Sequence, residues 1–145
     1  MKRKILILIS LALILSIGCT TKKNDITGDD SSISVGGQER EIIERSESIS
    51  DMIVELYGVD DATTVILNDI ALVGVKLSYD NKLNDDIKNT VIDVVTGFDN
   101  QITEVKVTQD NKLYRQIDDI MNELILGKSY DGFVDEISRI SGKIR

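Results

Sequence analysis

Residues 63–77, Thr-Thr-Val-Ile-Leu-Asn-Asp-Ile-Ala-Leu-Val-Gly-Val-Lys-Leu, decide the fold of this chain. They contain two runs rich in β-branched and aliphatic residues, 63–67 and 70–77, which are separated by Asn68-Asp69. Two residues of this type between apolar runs are typical of a tight turn that joins two antiparallel strands. The stretch therefore predicts a β-hairpin.

A two-residue turn also fixes which residues of the hairpin face each other. The predicted pairs are Leu67–Ile70, Val65–Leu72 and Thr63–Gly74 on one face, and Ile66–Ala71 and Thr64–Val73 on the other. Both faces are therefore largely apolar, and a sheet of this kind needs a covering layer on each side.

Apolar residues recur at helical spacing before and after the hairpin, which predicts four helices that could cover it. The first helix carries Ile42, Ser46, Ile49, Ile53 and Leu56 and is expected to end near Tyr57-Gly58. The second carries Leu83, Ile87, Val91, Val94 and Phe98, with Asn81 or Asn84 as its cap and Gly97 as its end. The third, capped near Asp110 or Asn111, carries Leu113, Ile117, Ile120 and Leu124 and ends at Gly127, and a short fourth carries Phe133, Ile137, Ile140 and Ile144.

A third strand is predicted from Ile102 to Thr108, where Val105 and Val107 alternate with charged residues. This alternation indicates that one side of the strand is wet or lies at the rim of the sheet. A helix precedes the strand, and a helical connection is the usual way to place two strands parallel. The sequence thus predicts one α+β domain over residues 39–145, with a three-stranded mixed β-sheet packed by helices in the order αββαβαα.

The start of the chain has the pattern of a secretory signal. Lys2, Arg3 and Lys4 precede an apolar run from Ile5 to Ile17, which is too short to span a bilayer comfortably. Gly18 and Cys19, the single cysteine, come next. The run Ser16-Ile17-Gly18-Cys19 resembles the lipobox of bacterial lipoproteins, although the leucine usual three places before the cysteine lies one place further back, at Leu15. We expect residues 1–18 to be a lipoprotein signal peptide and Cys19 to carry diacylglycerol.

Residues 19–38 comprise the lipidated cysteine and a polar, small-residue stretch that we interpret as a flexible tether with a reach of roughly 25 Å. The whole chain has a formal net charge of −8. Removal of residues 1–18 lowers the number of basic residues from 17 to 14 against 25 acidic ones, so the mature charge is about −11. Such a chain lacks the basic footprint needed for non-specific nucleic-acid binding and is repelled by anionic lipid headgroups.

Few residues are suited to chemistry, because the chain has no histidine and no tryptophan. Acidic pairs occur at Asp29-Asp30, Asp60-Asp61, Asp85-Asp86, Asp118-Asp119 and Asp135-Glu136, but sequence neighbours on a helix do not face one another. The oxygen-rich stretch 80–86 lacks the central glycine of a calcium loop. Ser129 and Lys128 are neighbours in sequence, which by itself does not make them a catalytic dyad of nucleophile and base. The remaining candidates, Tyr57, Tyr79, Tyr114 and Tyr130, have no convergent partners that the sequence reveals.

We therefore predict no catalytic residue, no metal site and no cofactor, and we expect a protein that is not an enzyme. Cys19 is the one residue whose chemistry the sequence predicts. The expected partners are the membrane, through the lipid on Cys19, and a protein that the sequence does not name.

Several stretches resemble the YhcN/YlaJ family of sporulation lipoproteins. They are the Cys19 lipobox, the hairpin from Ala62 to Val75, the segment from Ile102 to Asn111, and the helix end Leu124-Ile125-Leu126-Gly127. A departure is the complete absence of proline, which family members often carry after the acidic turn and after the helix-ending glycine.

The resemblance implies a non-enzymatic lipoprotein that has a role in sporulation or spore germination as a structural or interaction domain. It further implies lipid attachment on the outer, extracytoplasmic face of a forespore or spore membrane. The resemblance implies no catalytic residue, and the one functional residue of the family that has a counterpart in this chain is the lipidated cysteine, at Cys19.

Two alternatives remain open at this stage. The order αββαβ resembles ring-building modules of membrane channels, and a homo-oligomer would use a sheet face that the last two helices leave uncovered. A small solute-binding or cell-wall-binding lipoprotein, or a small hydrolase, is the other alternative. A chain with 4% aromatic residues is poor in groups that stack on sugars.

Overall fold

A computed structural model describes residues 36–79 and 81–145 of the chain. Its elements are α1 (Gly37–Val54), β1 (Val59–Leu67), β2 (Ile70–Leu77), α2 (Asp85–Phe98), β3 (Glu104–Thr108), α3 (Asn111–Ile125) and α4 (Val134–Ser141). One 3-10 turn, Tyr130–Phe133, leads into α4. The predicted fold class and the order αββαβαα are confirmed.

The three strands form a mixed sheet in the order β1-β2-β3. β1 and β2 are antiparallel, and β2 and β3 are parallel. All five predicted hairpin pairs are present, and the turn is made with Asn68 at a φ of 57°. A bulge between Val59 and Asp61 interrupts the register at the open end of the hairpin. β2 is therefore the central strand of the sheet, and β1 and β3 are its edge strands.

Helices cover both faces of this sheet. On one face, α1 and α2 contribute Ile49, Ile53, Val91 and Val95, which pack with Ile66, Ala71, Val73, Val75, Val105 and Val107. On the other face, α3 and α4 contribute Ile117, Ile120, Met121, Leu124, Ile137 and Ile140, which pack with Val65 and Leu72. Complete burial of one such side chain contributes about 1.5–3 kcal/mol to stability. Because α3 and α4 cover the second face, the oligomer interface that required an uncovered face is not available in the described part of the chain.

α1 contacts both cores, since Ile43 near its start packs with the α3–α4 layer whereas Ile49 and Ile53 pack with the other. It therefore passes the free edge of β1. Ser46, on the same helix, is fully buried and donates its hydroxyl hydrogen to the Ile42 carbonyl at 2.8 Å. This local bond satisfies a polar group on an otherwise apolar helix face.

Two details of α2 differ from the prediction. The helix passes through Gly97 and ends at Phe98, with the backbone N–H of Asp99 closing it onto Val95. Its buried face is centred on Val91 and Val95, so Phe98, predicted to lie in the core, is 49% exposed. The predicted apolar face of α2 included Val94, whereas the buried residue is Val95. Both are apolar, so spacing alone does not choose between them.

The other element boundaries follow from local hydrogen bonds. α1 ends at Val54, and Gly58, at a φ of 89°, turns the chain into β1. Asn84 caps α2 and Asp110 caps α3. β3 begins at Glu104, two residues after the predicted start, because the Ile102 N–H donates to the Asp99 carbonyl instead of entering the ladder. Within the described residues, no helix combines the length and the apolar character that crossing a membrane requires.

The packing at Gly74 yields a direct test of the fold. A Cβ at this position would lie 3.0 Å from Tyr114 Cδ2 and 3.1 Å from Tyr114 Cα. Gly74→Ala should therefore lower the free energy of unfolding by about 1–3 kcal/mol, the usual cost of overpacking. Urea unfolding followed by circular dichroism measures the change.

Gly97→Ala is the matched control, because nothing lies within 4 Å of a Cβ there and the residue is helical. It should raise stability by about 0.5–1 kcal/mol. Equal effects of the two substitutions would contradict the described contact between β2 and α3.

Candidate functional site

Cys19, the predicted lipidation site, lies outside the described residues, as do the signal sequence and Asp29-Asp30. Lipid attachment at Cys19 therefore stays a prediction. The described residues can be searched for other chemistry. Among residues 36–79 and 81–145, no group of three or more acidic side chains is arranged to hold a metal ion.

The hairpin carries a charged cluster where it meets α3. Lys76 Nζ lies 2.8 Å from Asp61 Oδ2 and 4.2 Å from the centre of the Tyr114 ring. The hydrogen bond from Lys76 lowers the pKa of Asp61, and the same bond raises the pKa of Lys76. Burial, together with Asp61, raises the pKa of Tyr114 to about 12. A lysine held protonated is a poor nucleophile, so this cluster joins two strands and a helix and has no activated group.

A second cluster connects α1 to the turn before α4. Glu39 Oε1 accepts hydrogen bonds from Ser129 Oγ and from the Tyr130 N–H, both at 3.0 Å. The pKa of Glu39 is lowered most by the hydrogen bond that the Gly36 N–H donates to the same carboxylate. The bonds from Ser129 and Tyr130 lower it further. Lys128 pairs with Glu123. Ser129 and Lys128 therefore have separate partners.

Tyr130 lies inside the molecule and protects the edge of the sheet. Its hydroxyl donates to the Ile66 carbonyl of β1 at 2.6 Å, and the residue is buried. An edge strand exposes unpaired backbone groups, so this bond satisfies one of them. In the sequence, Tyr130 was only a candidate without a visible partner, because its role at the edge depends on the approach of the α3–α4 connection to β1.

Arg45 and Asp99 form the least exposed ion pair of the described residues. Arg45 Nη2 lies 2.6 Å from Asp99 Oδ2, and their side chains are 18% and 7% exposed. Asp99 also accepts the Gln101 N–H at 3.0 Å. The pair joins α1 to the end of α2, and no spacing in the sequence relates two residues so far apart.

One concavity with polar walls lies between α1 and α3. It has a volume of about 580 Å³ and is open to solvent. Glu44, Glu47 and Asp51 of α1 face Asp118 of α3, with Ala62 and Thr63 of β1 also in the lining. The half-exposed Ile125 lies at its rim. Within the described residues, the lining of this α1–α3 groove contains no nucleophile paired with a base.

The tyrosines that the sequence singled out separate into two classes. Tyr114 and Tyr130 are buried and bridge elements, whereas Tyr57 and Tyr79 are fully exposed. Of the acidic pairs, Asp60 accepts a hydrogen bond from Ser78, and Asp61 binds Lys76. The described tyrosines and lysines that looked reactive are thus either structural or lie at the surface without an activating partner.

Tyr130→Phe tests the edge role of the hydroxyl. The substitution leaves the Ile66 carbonyl without its donor, so unfolding free energy should fall by about 1–3 kcal/mol. Tyr57→Phe is the control and should change stability by less than about 0.5 kcal/mol, because that hydroxyl is exposed. Thermal unfolding of both variants measures the difference. Equal melting temperatures would show that the bond contributes nothing.

The Asp61–Lys76 pair predicts how stability depends on pH. Because the folded-state pKa of Asp61 is lowered, its contribution is present above the unfolded-state pKa and is lost as pH falls through the folded value. Asp61→Asn should therefore be less stable than the parent chain at pH 7, and the difference should shrink below about pH 4. Lys76→Met should show the same pH dependence. A difference that is constant from pH 7 to pH 2 would contradict the pairing.

Comparison with known proteins gives a family assignment. No curated protein matches the chain. Residues 16–145 match the family model described as sporulation lipoprotein YhcN/YlaJ. The match begins at Ser16, just before Cys19, and includes the hairpin, β3 and all the described helices. A lipoprotein family implies anchoring to a membrane by lipid. With nearly the whole chain matched and the resemblance of the hairpin and β3 segments confirmed, this protein belongs to the YhcN/YlaJ family of sporulation lipoproteins.

Proposed function

We propose that this protein is a non-enzymatic interaction domain, anchored by lipid on Cys19 to the outer face of a forespore or spore membrane, where it acts in spore formation or germination. The observation that carries the proposal is the state of its polar side chains. Asp61, Lys76, Glu39 and Ser129 are held in bonds between elements. These bonds stabilise the fold, which leaves surfaces rather than an active site as the means of action.

Distances support a domain that stands away from the bilayer. The stretch between Cys19 and α1 is predicted to be a flexible tether, for which a reach of roughly 25 Å is expected. α1 adds a rigid rod, since 18 helical residues extend about 27 Å. The acidic surface of α1 and α3 is repelled by anionic headgroups. The tether and the charge together favour a domain that reaches a partner beyond the membrane surface.

The anchoring step is tested in sporulating cells fed an alkyne fatty acid. The parent chain should incorporate the probe and sediment with membranes. Cys19→Ala should lose the label and move to the soluble fraction or stay with the membrane only as uncleaved precursor, because no other residue of the chain has a thiol.

Thr20→Ala, at the neighbouring position, is the matched control and should keep both the label and the membrane attachment. Cells that carry Cys19→Ala should show the sporulation or germination defect of a deletion strain. Full labelling and normal membrane attachment of Cys19→Ala would sink the anchoring proposal.

A further inference from the structure

The α1–α3 groove continues into a second concavity along α1. This second concavity has a volume of about 270 Å³, and its lining shares Glu44, Glu47 and Ile125 with the lining of the first. Arg40 belongs to the second lining and Asp51 to the first. The helix rises about 17 Å between these two residues. The α1–α3 groove is therefore a continuous channel that extends over both concavities.

Both walls of the groove are helix faces. Residues that recur three and four positions apart lie on one side of a helix. The lining contains one such set from each helix, namely Glu44, Glu47 and Asp51 of α1 and Asp118, Met121 and Ile125 of α3. The two helices therefore present facing stripes of side chains to whatever enters the groove.

Apolar side chains form part of this surface. Ile43, Met121 and Leu124 are at most 8% exposed and belong to the core on that face of the sheet. Ile125 lies in both linings and is 52% exposed. Because burial of apolar area favours association, a half-uncovered isoleucine is available for contact with a ligand. The groove thus offers an apolar contact in addition to its charge.

Four carboxylates, those of Glu44, Glu47, Asp51 and Asp118, line the groove. Among residues 36–79 and 81–145, none of the four takes part in an ion pair. Arg40 is the one basic residue in the two linings. Carboxylates that are gathered without counter-charges repel one another, so this surface attracts a cationic ligand.

The carboxylates are spread along the groove and do not converge on one point. About two helical turns separate Glu44 from Asp51, which places them about 10 Å apart along the axis of α1. In the part of the chain that the structure describes, no group of three or more acidic side chains is arranged to hold a metal ion. A compact cation would reach only part of this surface, whereas positive charges distributed along a polypeptide match its length.

We propose that the α1–α3 groove binds a short basic segment of a partner protein, in which lysine or arginine side chains are interspersed with apolar ones. The cationic groups pair with the spaced carboxylates, and the apolar side chains cover Ile125. This inference rests on the proposed function as an interaction domain and deepens it by naming the surface and the chemistry of the partner.

Other occupants fit this surface less well. A second copy of the chain has the same acidic groove and a formal net charge of −8, so two copies repel each other. An anionic bilayer is repelled for the same reason. Lys22 and Lys23 of the chain itself carry two charges against four carboxylates, and their neighbours Thr21 and Asn24 supply no large apolar side chain.

The experiment measures binding of the full chain, held in micelles of a neutral detergent, to a fluorescently labelled peptide with the sequence Lys-Leu-Lys-Lys-Leu-Lys. Fluorescence anisotropy is recorded against empty micelles. Glu44→Gln combined with Asp118→Asn should weaken binding about fivefold, since each exposed ion pair contributes modestly. Ile125→Ala should weaken it about threefold. Added salt should weaken binding to the parent chain, because it screens exposed charges.

Two matched controls separate the groove from the rest of the surface. Glu41→Gln combined with Asp119→Asn alters the same two helices and the net charge equally, but both residues are exposed and lie outside the two linings. Leu126→Ala removes an apolar side chain that is 74% exposed and also lies outside them. Both controls should bind the peptide like the parent chain, and unfolding curves confirm that all variants are folded.

Several outcomes overturn the proposal. The parent chain fails to bind the peptide above the level of empty micelles, or the groove pair and the control pair weaken binding equally. Lys22→Gln combined with Lys23→Gln tightens binding severalfold, which assigns the groove to the chain's own lysines. Sedimentation shows a dimer that Ile125→Ala dissociates, which assigns it to a second copy. Peptide binding does not depend on lipid attachment at Cys19, so failure here and failure of the anchoring test are distinguishable.

Discussion

Burial of the central strand on both of its faces is the constraint on which the rest of the structure depends. β2 is apolar over most of its length, with Ala71, Leu72, Val73 and Val75 at most 1% exposed. Side chains of a strand alternate between faces, so this strand requires a layer above the sheet and another below it. α1 and α2 supply one layer, and α3 and α4 supply the other. A helix pair that covered one face alone would leave Val65 and Leu72 in water.

Polar bonds between elements complete this arrangement. The Arg45–Asp99 pair joins α1 to α2, Glu39 joins α1 to the turn before α4, and Tyr130 joins that turn to β1. Each of these bonds satisfies a group that the folded chain would otherwise expose or bury without a partner. These side chains therefore hold the elements of the fold together.

Local patterns predicted most of the fold because they were unambiguous. The two residues Asn68-Asp69 between apolar runs determined the hairpin register, and all five predicted pairs are present. Spacing found the buried faces of α3 and α4, where apolar residues are separated clearly by polar ones. It failed at the end of α2, where two adjacent valines allow two alternative buried faces. The predicted helix end at Gly97 was also wrong, because α2 continues to Phe98. Glycine ends a helix when it adopts positive φ, as Gly127 does at 90°, and within a helix it is only a weak helix former.

The sequence by itself determined the αββαβαα order and the mixed sheet, because these follow from periodicity and turn chemistry within short stretches of chain. The family resemblance rested on particular stretches of sequence, among them the hairpin and the β3 segment. Only the tertiary structure decided which side chains meet over long separations. Composition shows that the chain has four tyrosines, but it could not show that Tyr114 and Tyr130 would be buried and Tyr57 and Tyr79 exposed. Exposure depends on the packing of every neighbouring element, and that information is not contained in any single segment.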